Sequence, residues 1–178
     1  MEFTAKLAPN EYPPYAKIYL EHLESNDILS ILQERSQFVK KFYQNISEEE
    51  ALFAYAPGKW SIKEVLLHVT DSERVFAYRA ACFARGEKTP LPGFDQDLFV
   101  QNSSANKRSL ASIIAEFEAV RMASLSLYQN LSPETLLNEG NANGFSVTPR
   151  ALAALSAGHE IHHTKIIAER YLPLLKKF

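Results

Sequence analysis

The sequence predicts an all-α protein, a four-helix bundle joined by long connections. Three observations carry this. Apolar residues recur at helical spacing over segments of 20 residues or more, only six glycines punctuate 178 residues, and helix-start signals stand at the head of the segments. With 46% hydrophobic and 22% charged residues, the chain has the composition of a globular domain large enough for a substantial core. Neither an internal repeat nor a linker divides it. The expectation is therefore one domain over residues 1–178, with its bundle core at about 25–174.

The first helix is expected over residues 25–44. Ile28, Leu32, Phe38, Val39 and Phe42 give it an apolar face, and Ser25 to Asp27 offer capping side chains. A short helical turn follows at 47–53. The second helix opens at "WSIKE", where Ser61 and Glu64 have the spacing of a reciprocal capping box, and it runs to Gly86, a C′ glycine. At about 100° per residue, His68 shares a face with Val65, Ser72, Val75, Arg79 and Cys82, so it points inward. On the same reckoning Asp71 and Glu73 belong to the helix surface.

Residues 87–108 form a long connection with two prolines, a length that often carries function. The third helix spans 109–130, with Ile113, Phe117, Val120 and Leu127 inward. A polar connection, "SPETLLNEGNANGFSV", leads to Thr148–Pro149, a cap followed by proline at the first helical position. The fourth helix then runs to Leu172 and is stopped by Pro173.

Composition excludes several functions. A formal charge of −2 and a pI near 6.2, with no basic stripe, give nothing to neutralise phosphates, so no nucleic-acid partner is expected. The first fifteen residues lack a basic start followed by an apolar run, and no uncharged apolar stretch reaches 18 residues, so neither a secretion signal nor a membrane span is read. The single cysteine, Cys82, cannot form an internal disulfide and reads as a small buried residue, which fits a cytoplasmic location.

The chemistry lies in "HEIHH", residues 159–163, which holds three of the five histidines. His159 sits near the centre of the apolar stripe defined by Leu152, Leu155, Ile166 and Ile167. His163 is offset by about 40° to one side and His162 by about 60° to the other. Imidazoles one turn apart can meet one ion. The letters also satisfy the H-E-x-x-H signature of zinc proteases, but Ile166 and Glu169 stand where the extended signature needs glycine and histidine, and Glu160 lies about 100° from His159, toward solvent. A protease is not the expected activity. An open site typically takes three protein ligands, and the remaining one is sought upstream in His68. His22, among acidic neighbours, reads as a surface histidine.

"GKWSIKEVLLHVTDSE", followed 91 residues after its histidine by "HEIHH", resembles the DinB-like (YfiT-like) superfamily of four-helix-bundle metal-binding proteins. The resemblance covers roughly residues 25–174. It implies a metal triad of His68, His159 and His163, with His162 a neighbour, and a homodimer. It further implies a metal-dependent enzyme acting on a small molecule, either a hydrolase or an S-transferase that uses a low-molecular-weight thiol as cosubstrate. The alternative is a non-catalytic metal-binding or structural bundle. The expected ion is divalent, Zn, Ni, Fe or Mn; imidazole ligands suit Zn, Ni, Fe and Cu alike and do not choose the metal. Arg79, Asp95 and Asp97 are the remaining catalytic candidates: Arg79 on the His68 face but about 16 Å along it, the two aspartates on the 87–108 connection.

Overall fold

In the computed structural model, which describes residues 6–175, the chain is a four-helix bundle. Residues 1–5, part of the stretch read for a secretion signal, and 176–178 lie outside the described residues. The helices are α1 (Lys17–Leu20), α2 (Ile28–Gln44), α3 (Ile62–Ala84), α4 (Gln96–Asn102), α5 (Leu110–Gln129), α6 (Pro133–Leu136), α7 (Pro149–Ile166) and α8 (Leu172–Leu175). The bundle consists of α2, α3, α5 and α7. No helix among the described residues is long and apolar enough to cross a membrane.

Each bundle helix starts where a side chain satisfies its free amides. Asp27, Ser61, Ser109 and Thr148 accept from the backbone N–H three residues on. The Glu64 carboxylate completes the box by accepting from the Ser61 N–H at 2.7 Å. At the other end of α3, Gly86 adopts φ +86° and Glu87 N–H reaches back to the Cys82 carbonyl at 3.0 Å, a Schellman closure.

α3 packs on α5 and α7, and α2 packs on the same two helices, giving the cyclic order α2–α5–α3–α7. The pairs α2/α3 and α5/α7 therefore face each other across the diagonal. Two of the three long connections, 45–61 and 130–148, cross an end of the bundle, and their length follows from that path.

The core divides into two apolar clusters. One is built on Leu32, Phe83, Leu125 and Leu152, the other on Val39, Leu66, Phe117 and Ile167. Between them a polar layer crosses all four helices. The Arg121 guanidinium, wholly buried, donates to both Glu73 oxygens at 2.8 Å and to the Leu32 carbonyl at 3.0 Å. Arg35 donates likewise to Glu160 at 2.8 and 2.9 Å, and the Thr164 hydroxyl donates to the same carboxylate at 2.7 Å.

Several sequence expectations need correction. Glu73 and Glu160 are buried, because each has an arginine on another helix to neutralise it. Phe38 is 44% exposed and lies under the Arg35 guanidinium, 3.9 Å away, rather than in the core. Cys82 is only half-buried. Pro173 does not end the fourth helix: the π-wound turn Ile167–Tyr171 widens the winding ahead of it, relieving the clash of its ring with the carbonyl four residues back, and the helix resumes as α8.

The polar connection before α7 holds a hairpin, β1 (Gly140–Ala142) paired antiparallel with β2 (Phe145–Val147). Asn143 and Gly144 take positive φ of 54° and 83°, the two-residue turn that Asn-Gly favours. Leu91 hydrogen-bonds to the backbone of Asn141 and Asn143 at 2.9 Å, tying the 85–95 loop to this hairpin.

The N-terminal arm lies against α7 through α1. A Cβ at Gly158 would stand 2.4 Å from the Tyr19 carbonyl oxygen, so only glycine lets the two backbones meet. Gly158→Ala is expected to cost about 1–3 kcal/mol in chemical denaturation, as overpacking against backbone does. A cost within error of zero would show that the arm separates freely from α7.

Candidate metal centre

Side-by-side packing of α3 and α7 brings His68 against His159 and His163. The Nε2 atoms of His68 and His159 are 3.2 Å apart, and those of His163 and His159 are 3.1 Å apart. Ligand atoms of all three lie within 4.8 Å of one another. Tetrahedral coordination with bonds of about 2.0–2.1 Å requires donor separations of about 3.3 Å, so the two short edges match that geometry closely.

The burial of these rings has a consequence for their charge. The Trp60 ring lies 4.7 Å from that of His68, and Tyr19 and Phe76 lie 5.1 and 6.0 Å from that of His159. Loss of water lowers the His68 pKa to about 4 and that of His163 to about 3, and holds His159 well below the ordinary imidazole range. At neutral pH the three rings are uncharged and retain their lone pairs.

Hydrogen bonding cannot satisfy this arrangement. An imidazole nitrogen carries either one proton or one lone pair, yet His159 Nε2 faces two other Nε2 atoms. One proton can bridge only one of the two contacts. A cation among the three nitrogens takes a lone pair from each, so the donor set fits a divalent ion of the kind imidazole binds.

In metal-free protein these low pKa values set a pH dependence. An unfolded histidine takes up a proton near pH 6.5, while the folded His68 and His163 resist until about pH 4 and 3. Stability is therefore expected to fall as pH drops below about 6.5. Urea denaturation of stripped protein between pH 7.5 and 4 checks this, and a flat profile would contradict it.

His162 and His22 occupy a separate arrangement. His162 Nδ1 lies 3.1 Å from His22 Nε2, and Lys165 Nζ lies 3.3 Å from His22 Nδ1. His22 is thus half-buried and paired with another histidine, where the sequence reads a surface residue among acidic neighbours. Glu160, the acidic letter of the protease signature, is engaged by Arg35 and Thr164 and is not part of the histidine cluster.

A cleft of about 230 Å³ opens beside His163 and is lined by Tyr55, Lys59, Trp60, Asp97, Arg170 and Tyr171. The Tyr171 hydroxyl donates to the Trp60 carbonyl at 2.9 Å, joining two of its walls. Of the aspartates singled out in the sequence, Asp97 lines this cleft. Asp95 is the cap of α4, accepting from the amides of Asp97 and Leu98 at 3.0 Å. Arg79 is buried and donates to the Pro92 carbonyl at 2.6 Å, outside the cleft lining. Tyr55, Lys59, Arg170 and Tyr171 were not foreseen. The only signal for Lys59 was its place in "GKW", and Arg170 and Tyr171 come into position through a π turn that letters do not announce.

Comparisons with known proteins agree with this picture. Residues 32–167 match the sequence family described as the DinB superfamily. A protein of Oceanobacillus iheyensis, named "putative metal-dependent hydrolase", is 26% identical over 121 residues, which is 67% of this chain and 69% of that one. YfiT from Bacillus subtilis, described as "a probable metal-dependent hydrolase with an unusual four-helix bundle topology", superposes with a TM-score of 0.75. That superposition covers 92% of this chain and 94% of YfiT at 17% identity, a likeness of fold.

Proposed function

We propose, from the premise that this chain belongs to the DinB superfamily, that it is a metal-dependent hydrolase of small molecules, its ion held by His68, His159 and His163. The observation that carries this reading is the meeting of three Nε2 atoms, 3.1 and 3.2 Å apart along two edges, beside an open cleft. The names of the curated relative and of YfiT support the same class of activity for those proteins.

A divalent ion at such a site supplies Lewis acidity at neutral pH. The chain's own residues do the rest. The three uncharged imidazoles give nitrogen donors without negative charge, which leaves that acidity undiminished. Trp60 covers one side of His68, and Tyr171 holds the Trp60 backbone through its hydroxyl. Asp97 lines the same cleft, and in this reading it is the carboxylate that accepts a proton from attacking water and returns it to the leaving group. Asp95 holds the start of the helix that carries Asp97, and Arg79 anchors the loop that leads into it.

The test is hydrolysis of a panel of small esters and amides by untagged protein, stripped and then reloaded with Zn, Ni, Fe or Mn. Turnover that follows metal loading and falls roughly 10²–10⁴-fold in Asp97→Asn is the expected result. Turnover that requires an added thiol would assign the site to S-transfer instead. Absence of both, with metal bound, would leave a non-catalytic metal-binding bundle.

A further inference from the structure

The cleft beside His163 carries an imbalance of charge. Lys59 and Arg170 both line it, and neither has a carboxylate partner in an ion pair among the described residues. Asp97 is the single acid in the lining. Glu64 lies outside the lining, its carboxylate turned to the Ser61 amide at 2.7 Å and the Asn106 side chain at 3.0 Å. The histidines add no compensating charge. The residues that line the cleft therefore hold two cations against one acid before any ion binds.

Position reinforces charge. Arg170 belongs to the π-wound turn Ile167–Tyr171, directly beyond the helix that supplies His159 and His163. Such turns are uncommon and concentrate at functional sites. The Arg170 guanidinium stands 6.0 Å from the Tyr55 ring, close enough for that ring to steady it. Lys59 precedes Trp60, whose indole packs on His68. Cations and flat apolar walls thus occupy one cleft that has the histidine cluster at its side.

We propose that Lys59 and Arg170 form an anion-recognition subsite, and that the substrate is a small molecule with a flat body and a carboxylate or phosphate at the end away from its scissile bond. This rests on the hydrolase reading and narrows it to a substrate class. Trp60 and Tyr55, both half-buried in the lining, take the flat body, and the two cations take the charged end.

Trp60 is the only tryptophan in the chain, so its fluorescence reports on the cleft directly. Benzoate, phenyl phosphate and uncharged benzamide serve as probes, titrated against the metal-loaded wild type, Lys59→Ala, Arg170→Ala and the double variant. Both anions are expected to bind the wild type saturably. Each single substitution is expected to weaken them by roughly tenfold, leaving benzamide unchanged. Three results would each overturn the proposal: no saturable anion binding in the millimolar range, undiminished anion binding by the double variant, or a parallel loss for benzamide. Metal content is measured on the same samples. Loss of metal from the wild type would count against the hydrolase reading, whereas unchanged metal with unchanged anion affinity counts against this subsite alone.

Discussion

His159→Ala is expected to reduce bound divalent metal from about one per chain to none after dialysis, read by mass spectrometry on untagged protein. His159 is the shared vertex of the cluster, with its Nε2 facing both of the others. Two ligands on separate helices, without the vertex, hold an ion poorly. The loss should exceed the roughly 10–100-fold that follows removal of a residue that only orients a ligand. His68→Ala and His163→Ala should behave alike. His162→Ala should keep its metal, because the Nδ1 of that ring is paired with His22, away from the cluster. His159→Asn preserves most of the buried volume and separates loss of a donor from formation of a cavity. Full metal retention in His159→Ala, with wild-type circular dichroism, would place the ion elsewhere and remove the basis of the proposed activity.

The bundle was legible because its signals are local. Capping pairs such as Ser61–Glu64 and the Thr148–Pro149 start are read within four residues, and each stands in the structure where the sequence placed it. The approach of His68 to His159 was legible for a related reason: helical periodicity turned both rings inward, and family resemblance supplied the choice between His162 and His163. The polar layer was not legible. Glu73 and Glu160 look like surface charges until Arg121 and Arg35 are brought to them from 48 and 125 residues away. Charge on an inward position has no meaning without its partner, and partners across a bundle have no fixed spacing. The hairpin at 140–147 was a different failure. Asn143–Gly144 is a strong turn signal, but strands of three residues have too little alternation to stand out beside long helices.

The second large effect is expected at that polar layer. Arg121→Met leaves the Glu73 carboxylate in the bundle interior without its counter-charge, and the expected cost is about 3–5 kcal/mol in urea denaturation. For a chain of this size that corresponds to a fall of roughly 6–20 °C in Tm. Adding Glu73→Leu removes the stranded charge, and the double variant should regain most of the loss, because apolar replacement of a buried pair is often neutral or stabilising. Full recovery is opposed by the Leu32 carbonyl, which loses the donor it receives from Arg121. The pair also lies about one and a half helical turns along α3 from His68, and the Arg35–Glu160 pair lies beside His159. If the layer fixes the rotation of α3 and α7, the Arg121→Met variant should bind metal more weakly even where it remains folded, and the double variant, with neither charge, should restore stability without restoring affinity. Equal recovery of both would show that the layer acts on stability alone and that the apolar clusters suffice to aim the histidines.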